Sequence, residues 1–112
     1  MQAHLEEEIN QLHAEICAGL ADPKRILLMY ELSAGPRNVT ELASSLRLPQ
    51  SLVSRHLKTL RERGLVSAAR VGPTVQYRVS DSRLLQALDL LRAVLRDSLA
   101  HRAELAGVIV SN

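Results

Sequence analysis

At 112 residues the chain has room for about one domain with a single core, so a second independent domain is excluded. It is 46% hydrophobic but lacks Phe and Trp and has only Tyr30 and Tyr77, so the core must be aliphatic, and two tyrosines make a poor platform for stacking single-stranded bases. The formal net charge of +2 hides a strong asymmetry: residues 1–22 carry five acids and no Lys or Arg, residues 23–79 ten basic and three acidic residues, and residues 80–112 four of each. A basic middle segment is the footprint of a polyanion-binding surface or simply a solvated face.

The first predicted element places Leu5, Ile9, Leu12, Ile16 and Leu20 at spacings of four, three, four and four, one stripe of an amphipathic helix over residues 1–21. Gly19 weakens its end. The same segment bears on export: MQAHLEEEIN is acidic where a secretory leader is basic and then apolar. No run of about 18 apolar residues follows, and the lone Cys17 excludes an internal disulfide framework. A cytoplasmic protein with no membrane partner is expected.

Asp22-Pro23 reads as a helix cap followed by proline in the first helical position, opening a second helix through KRILLMYEL that stops at Ser33-Ala34-Gly35-Pro36. NVTE, residues 38–41, has the spacing of a capping box, with Asn38 accepting from first-turn amides and Glu41 reaching back. The short helix ELASSLRL breaks at Leu48-Pro49, and a fourth helix follows within SLVSRHLKTLRERGLV, ended by Gly64 as a left-handed stop. Val53, Leu57 and Leu60 seat that helix, while Ser51, Ser54, Arg55 and Lys58 share the opposite arc. Residues 38–64 therefore read as a helix-turn-helix.

After Gly64 the period changes to two. Val66, Ala68 and Arg70 alternate with Ser67 and Ala69, and Val75, Tyr77 and Val79 with Thr74, Gln76 and Arg78, around the turn VGPT. This predicts a hairpin over 65–79 with an outward row of Gln76 and Arg78, joined by Arg70 on the facing strand: a wing. From a Ser80 cap, a last helix over 81–106 repeats the leucine spacing at Leu84, Leu88, Leu91, Leu95 and Leu99, widened by Leu85, Leu90 and Val94. So broad an apolar surface exceeds what the small winged core can cover, which points to a homodimer through the first and last helices; the alternative is a monomer in which those helices pack on each other.

An α-helix fits the major groove of B-DNA. Ser51 and Ser54 are small enough for close approach, Gln50 suits adenine, and Arg55 reaches guanine or phosphate. Lys58 and Arg61 lie one to two turns later, at phosphate distance, and Arg70, Gln76 and Arg78 of the wing fall beside the adjacent minor groove or backbone. His56, at the edge of the inward arc, either touches DNA or hydrogen-bonds within the motif. Two serines lower helix propensity by a few tenths of a kcal/mol each and gain nothing on a bland face, which favours DNA as its partner.

LADPKRILLMYEL, VTELASSLRLPQSLVSRHLKTLRERGLV and the hairpin ending VQYRVS resemble the ArsR (ArsR/SmtB) family of bacterial winged-helix repressors over nearly the whole chain. The resemblance implies a mainly α fold with a small β-hairpin, a winged helix-turn-helix of five helices and a two-stranded wing in one domain spanning 1–112. It also implies a homodimer that binds an imperfect palindrome in a double-stranded DNA operator and releases it when an inducer binds.

Metal-sensing members of the family carry Cys-x-Cys at the start of the helix before the recognition helix, where this chain has Asn38-Val39-Thr40 and no thiolate. Their second site needs Asp and His upstream of a His/Glu pair on the last helix; His101 and Glu104 match the pair, but Leu88 and Leu90 stand upstream. One constellation is left: His13 and Cys17, four apart on the first helix, with His101 and Glu104, a donor set for a divalent ion such as zinc. Against it stands a buried, inert Cys17 with a surface His13; a third reading is oxidation of Cys17 with its dimer mate. An enzyme is not expected, since no Ser-His-Asp order, glycine-rich phosphate loop or complete metal site is present. The competing class is a winged-helix module for protein contacts, or a family member without a metal inducer.

Overall fold

The computed structural model describes the backbone of residues 2–111 and the side chains of residues 2–107. The chain divides into two compact units, Met1–Ser82 and Arg83–Asn112.

In the first unit, α1 (Gln2–Gln11) runs through a π-helical stretch, Leu12–Cys17, into α2 (Ala18–Leu20). Gln11 and Ala18 keep right-handed helical angles, so this is the one continuous helix expected, but its winding changes. The Ala18 N–H donates to the His13 carbonyl, five residues back, and the wider turn takes Ile16 and Leu20 out of line with Leu5 and Ile9. The uniform stripe expected over 1–21 is thus broken. The Arg63 guanidinium donates to the Ala14 carbonyl inside this stretch, the kind of intrusion that disturbs an i→i−4 ladder.

Helix α3 (Pro23–Ser33) starts as its sequence requires. The Asp22 carboxylate accepts from the Lys24 N–H at 2.8 Å, and Pro23 occupies a position where a missing N–H costs nothing. Helix α4 (Val39–Leu46) carries the complete capping box, with Glu41 N–H to Asn38 Oδ1 at 2.8 Å and Asn38 N–H to Glu41 Oε1 at 3.1 Å. It ends on Arg47 at φ 55°, a left-handed conformation that costs a non-glycine residue roughly 1–2 kcal/mol. The Leu48 N–H, 3.0 Å from the Ala43 carbonyl, closes that end and offsets part of the strain. Helix α5 (Gln50–Glu62) ends on Gly64 at φ 75°. Gly64 N–H reaches Arg61 O at 3.0 Å and Leu65 N–H reaches Leu60 O at 2.9 Å, the paired bonds of a Schellman stop.

The core lies among these helices. Leu28, Met29 and Leu32 of α3, Leu42 and Ala43 of α4, and Val53, Leu57 and Leu60 of α5 are buried together with Leu65 and Val66. Each large aliphatic side chain here contributes roughly 1.5–3 kcal/mol by leaving water. Gly19 serves this packing: a Cβ there would lie 2.6 Å from Leu65 Cδ1, so α2 comes close to the end of α5 only because it has no side chain at that point.

Strands β1 (Val66–Val71) and β2 (Thr74–Val79) pair antiparallel. Gly72 at φ 62° followed by Pro73 gives the positive-then-negative pattern of a type II′ hairpin turn. Tyr77 also exchanges two backbone bonds with Arg37, at 2.8 and 3.0 Å, tying the α3–α4 connection to the wing. The register corrects one expectation. Ser67 stands opposite Arg78 and Ala69 opposite Gln76, but Arg70 stands opposite Val75. Directly opposed residues share a face, so Arg70 is on the side away from Gln76 and Arg78 and does not extend their row.

The second unit is helix α6 (Arg83–Ser111), which begins later and runs further than the expected 81–106. Ser80 is not its cap: it lies three residues before the helix, and its N–H donates to the Leu65 carbonyl at 3.1 Å.

Candidate nucleic-acid interface

Helix α5 is two-sided. Val53, Leu57 and Leu60 are wholly buried, while Gln50, Ser51, Ser54, Arg55, Lys58 and Arg61 are exposed. Three inward side chains fix both height and rotation of the helix, so the outward set is presented by a rigid support rather than a loop. Glu62 is the one acid on α5, with its carboxylate 4.0 Å from the Lys58 ammonium. Both side chains are well exposed, at 76% and 64%, so the pair is screened and holds Lys58 only weakly. No side chain caps the start of α5, in contrast with Asp22 on α3 and Asn38 on α4. Its first-turn amides are therefore available to an external acceptor, the usual phosphate position at a helix N-terminus. The Leu48-Pro49-Gln50 run, with no Ser, Thr, Asp or Asn just before the helix, carried this signal in the sequence.

His56 sits between the two faces and is half-buried. Its Nδ1 lies 3.3 Å from Nη1 of Arg25, whose Nε and Nη2 donate to the carbonyls of Gly19 at 2.6 Å and Ala18 at 3.2 Å. A guanidinium only donates, so Nδ1 accepts and the ring proton resides on Nε2. Burial lowers the His56 pKa below the usual imidazole value, with Asp22 opposing the shift and Arg25 reinforcing it. Asp22 is held below the ordinary carboxylate range chiefly by the Lys24 backbone N–H.

On the wing, Arg70 and Arg78 are exposed and Gln76 is half-buried, on the two faces described above. The four candidate metal donors are divided between the two units. His13 and Cys17 are exposed in the π-helical stretch, and His101 and Glu104 are exposed on α6. Among the described residues, no group of three or more His, Cys, Asp or Glu side chains is placed to hold a metal ion. The position where a thiolate pair would stand is taken by Asn38, whose side chain is committed to the α4 capping box. The residues present do not fit either sensor site. No helix among the described residues is long and apolar enough to cross a membrane.

A helix-turn-helix with a basic outward face on its second helix and a two-stranded wing beyond it defines a winged-helix transcriptional regulator. Residues 22–68 match the model of the bacterial regulatory protein arsR family. The HTH-type transcriptional repressor SmtB of Mycobacterium tuberculosis is 37% identical over 97 residues, covering 87% of this chain and 67% of SmtB. Among solved structures, M. tuberculosis Rv0081 superposes with a TM-score of 0.75 at 33% identity, over 85% of this chain and 96% of that one. The homodimeric winged helix-turn-helix DNA-binding domain of Mb0332 from Mycobacterium bovis, a possible ArsR-family transcriptional regulator, superposes with a TM-score of 0.75 at 26% identity, over 86% and 88%. The chain belongs to the arsR family of bacterial regulatory proteins.

Proposed function

We propose that the protein is a repressor that binds a palindromic double-stranded DNA operator as a homodimer and leaves it when an inducer binds. The observation that carries this reading is α5 itself, with Ser51, Ser54, Arg55 and Lys58 exposed over a wholly buried Val53, Leu57 and Leu60. In it, Gln50, Ser51, Ser54 and Arg55 face base edges, Lys58 and Arg61 meet phosphates, and Arg70, Gln76 and Arg78 flank them from the wing.

Dimerisation is supported by what is left uncovered. Leu5, Ile9 and Leu12 of the first helix are 46–55% exposed, and Leu90, Leu91, Val94, Leu95, Leu99 and Leu105 of α6 are 50–70% exposed. Single exposed leucines are ordinary, but a helix with this many seeks a partner, and the relative from M. bovis is a homodimer. A two-fold dimer places its two reading helices about one DNA turn, about 34–36 Å, apart. In vitro selection from random duplexes tests this: a two-fold symmetric consensus is expected, and recovery of an unsymmetric site or of no consensus contradicts it.

Release by an inducer is tested by operator binding with divalent metals and oxidants, wild type against Cys17→Ser. Release abolished in the variant assigns sensing to Cys17, and release retained removes it.

A further inference from the structure

The start of α3 and the flank of α5 border a solvent-open groove of about 520 Å³ that adjoins the outward face of α5. Lys24 and Arg25 border it from one side, and Arg55, His56 and Lys58 from the other. Two carboxylates also reach it: Asp22, which accepts the Lys24 backbone N–H at 2.8 Å, and Glu62, 4.0 Å from Lys58. The floor is rigid, because the Arg25 guanidinium is spent on Ala18, Gly19 and His56. The rim is different: Lys24 is exposed and lines the groove together with Arg55 and Lys58, which are already assigned to DNA.

We propose that this groove is a second phosphate-binding site for the operator backbone, in which Lys24 supplies the charge and the Nε2–H of His56 the directed donor. The proposal rests on the reading of α5 above and extends it from one helix to two. The chemistry is that of a phosphodiester oxygen. A mobile ammonium neutralises it without regard to base sequence, and a neutral imidazole with its other nitrogen tied to Arg25 donates from a fixed position. Burial keeps that imidazole neutral, so its contribution is a hydrogen bond rather than a second charge. The groove also explains why His56 lies between the two faces of α5: one nitrogen serves the fold and the other is left for a ligand.

The test is fluorescence anisotropy with the full chain and a labelled duplex carrying the sequence selected by wild type, titrated over a series of KCl concentrations. Lys24→Gln removes one phosphate contact from each of two protomers, so the slope of log K against log salt falls by about two, and by the same amount on a shuffled duplex. Lys24→Arg restores the slope. Circular dichroism melts of both variants match wild type, since the side chain is exposed. If Lys24→Gln leaves the slope unchanged while Arg61→Gln lowers it, the groove assignment is overturned and the α5 reading stands. If Lys24→Gln weakens only the selected duplex with no change of slope, the residue reads bases and the phosphate site is overturned. A wild type with no salt-dependent duplex binding overturns both.

Discussion

Arg25 and His56, thirty-one residues apart in the chain, meet with the guanidinium Nη1 3.3 Å from the imidazole Nδ1. The same guanidinium holds the carbonyls of Ala18 and Gly19, so one side chain joins the end of the first helix to α5.

Burial of this imidazole makes the fold sensitive to mild acid. The folded pKa of His56 is lowered, mainly by burial, so between it and the unfolded value of 6.5 the unfolded chain binds more protons. Stability is complete above 6.5 and falls as pH drops through that value toward the folded pKa. Melting temperatures measured across this window should decline on the acid side, and His56→Gln should flatten the decline. Asp22 acts in a separate window: its folded pKa lies below 3.8, so its contribution persists until much lower pH.

Leu57 is wholly buried at the centre of the inward face of α5. Leu57→Ala should cost about 2–5 kcal/mol in urea unfolding, and DNA binding should weaken with it because the support of the reading face is loosened. A loss below about 1 kcal/mol would mean that α5 is not seated as described.

The α4 capping box closes two amides with two side chains. Asn38→Ala should cost about 1 kcal/mol of stability in the same measurement. Asn38→Asp should keep most of it, since the carboxylate accepts the same bond and favours the helix start.

The wing divides its arginines between faces and heights. Arg70 is one pair in from the turn, and Arg78 is three pairs further down on the other face. Arg70→Ala should therefore lower the salt slope of DNA binding more than Arg78→Ala. The reverse order would place the other face of the hairpin against the duplex.

Much of this fold is legible in the sequence because it depends on near neighbours. Asp22-Pro23, the NVTE box, the Val53/Leu57/Leu60 spacing and Gly64 each specify a cap, a box, a face or a stop within a few residues, and each is found. What is not legible depends on partners far away. The π-helical stretch is entered by Arg63, 49 residues from Ala14. Gly19 has the look of a weakened helix end and is a close approach to Leu65. Ser80 has a capping side chain, but its amide belongs to Leu65. The row to which Arg70 belongs is hidden because charge type is visible in a sequence and cross-strand register is not. The place of His56 depends on Arg25 beside it, which no local pattern reveals.

Duplex DNA is held, in this account, by the exposed face of α5 through Arg55 and Lys58. The most direct measurement is the salt dependence of binding to a selected duplex for wild type and for Arg55→Gln/Lys58→Gln. The account predicts a steep linear fall of log K with log salt in wild type. In the double variant the slope should be shallower by about two, since Lys58 of each of two protomers then neutralises one fewer phosphate while Arg55 meets bases. Equal slopes in the two proteins would contradict it.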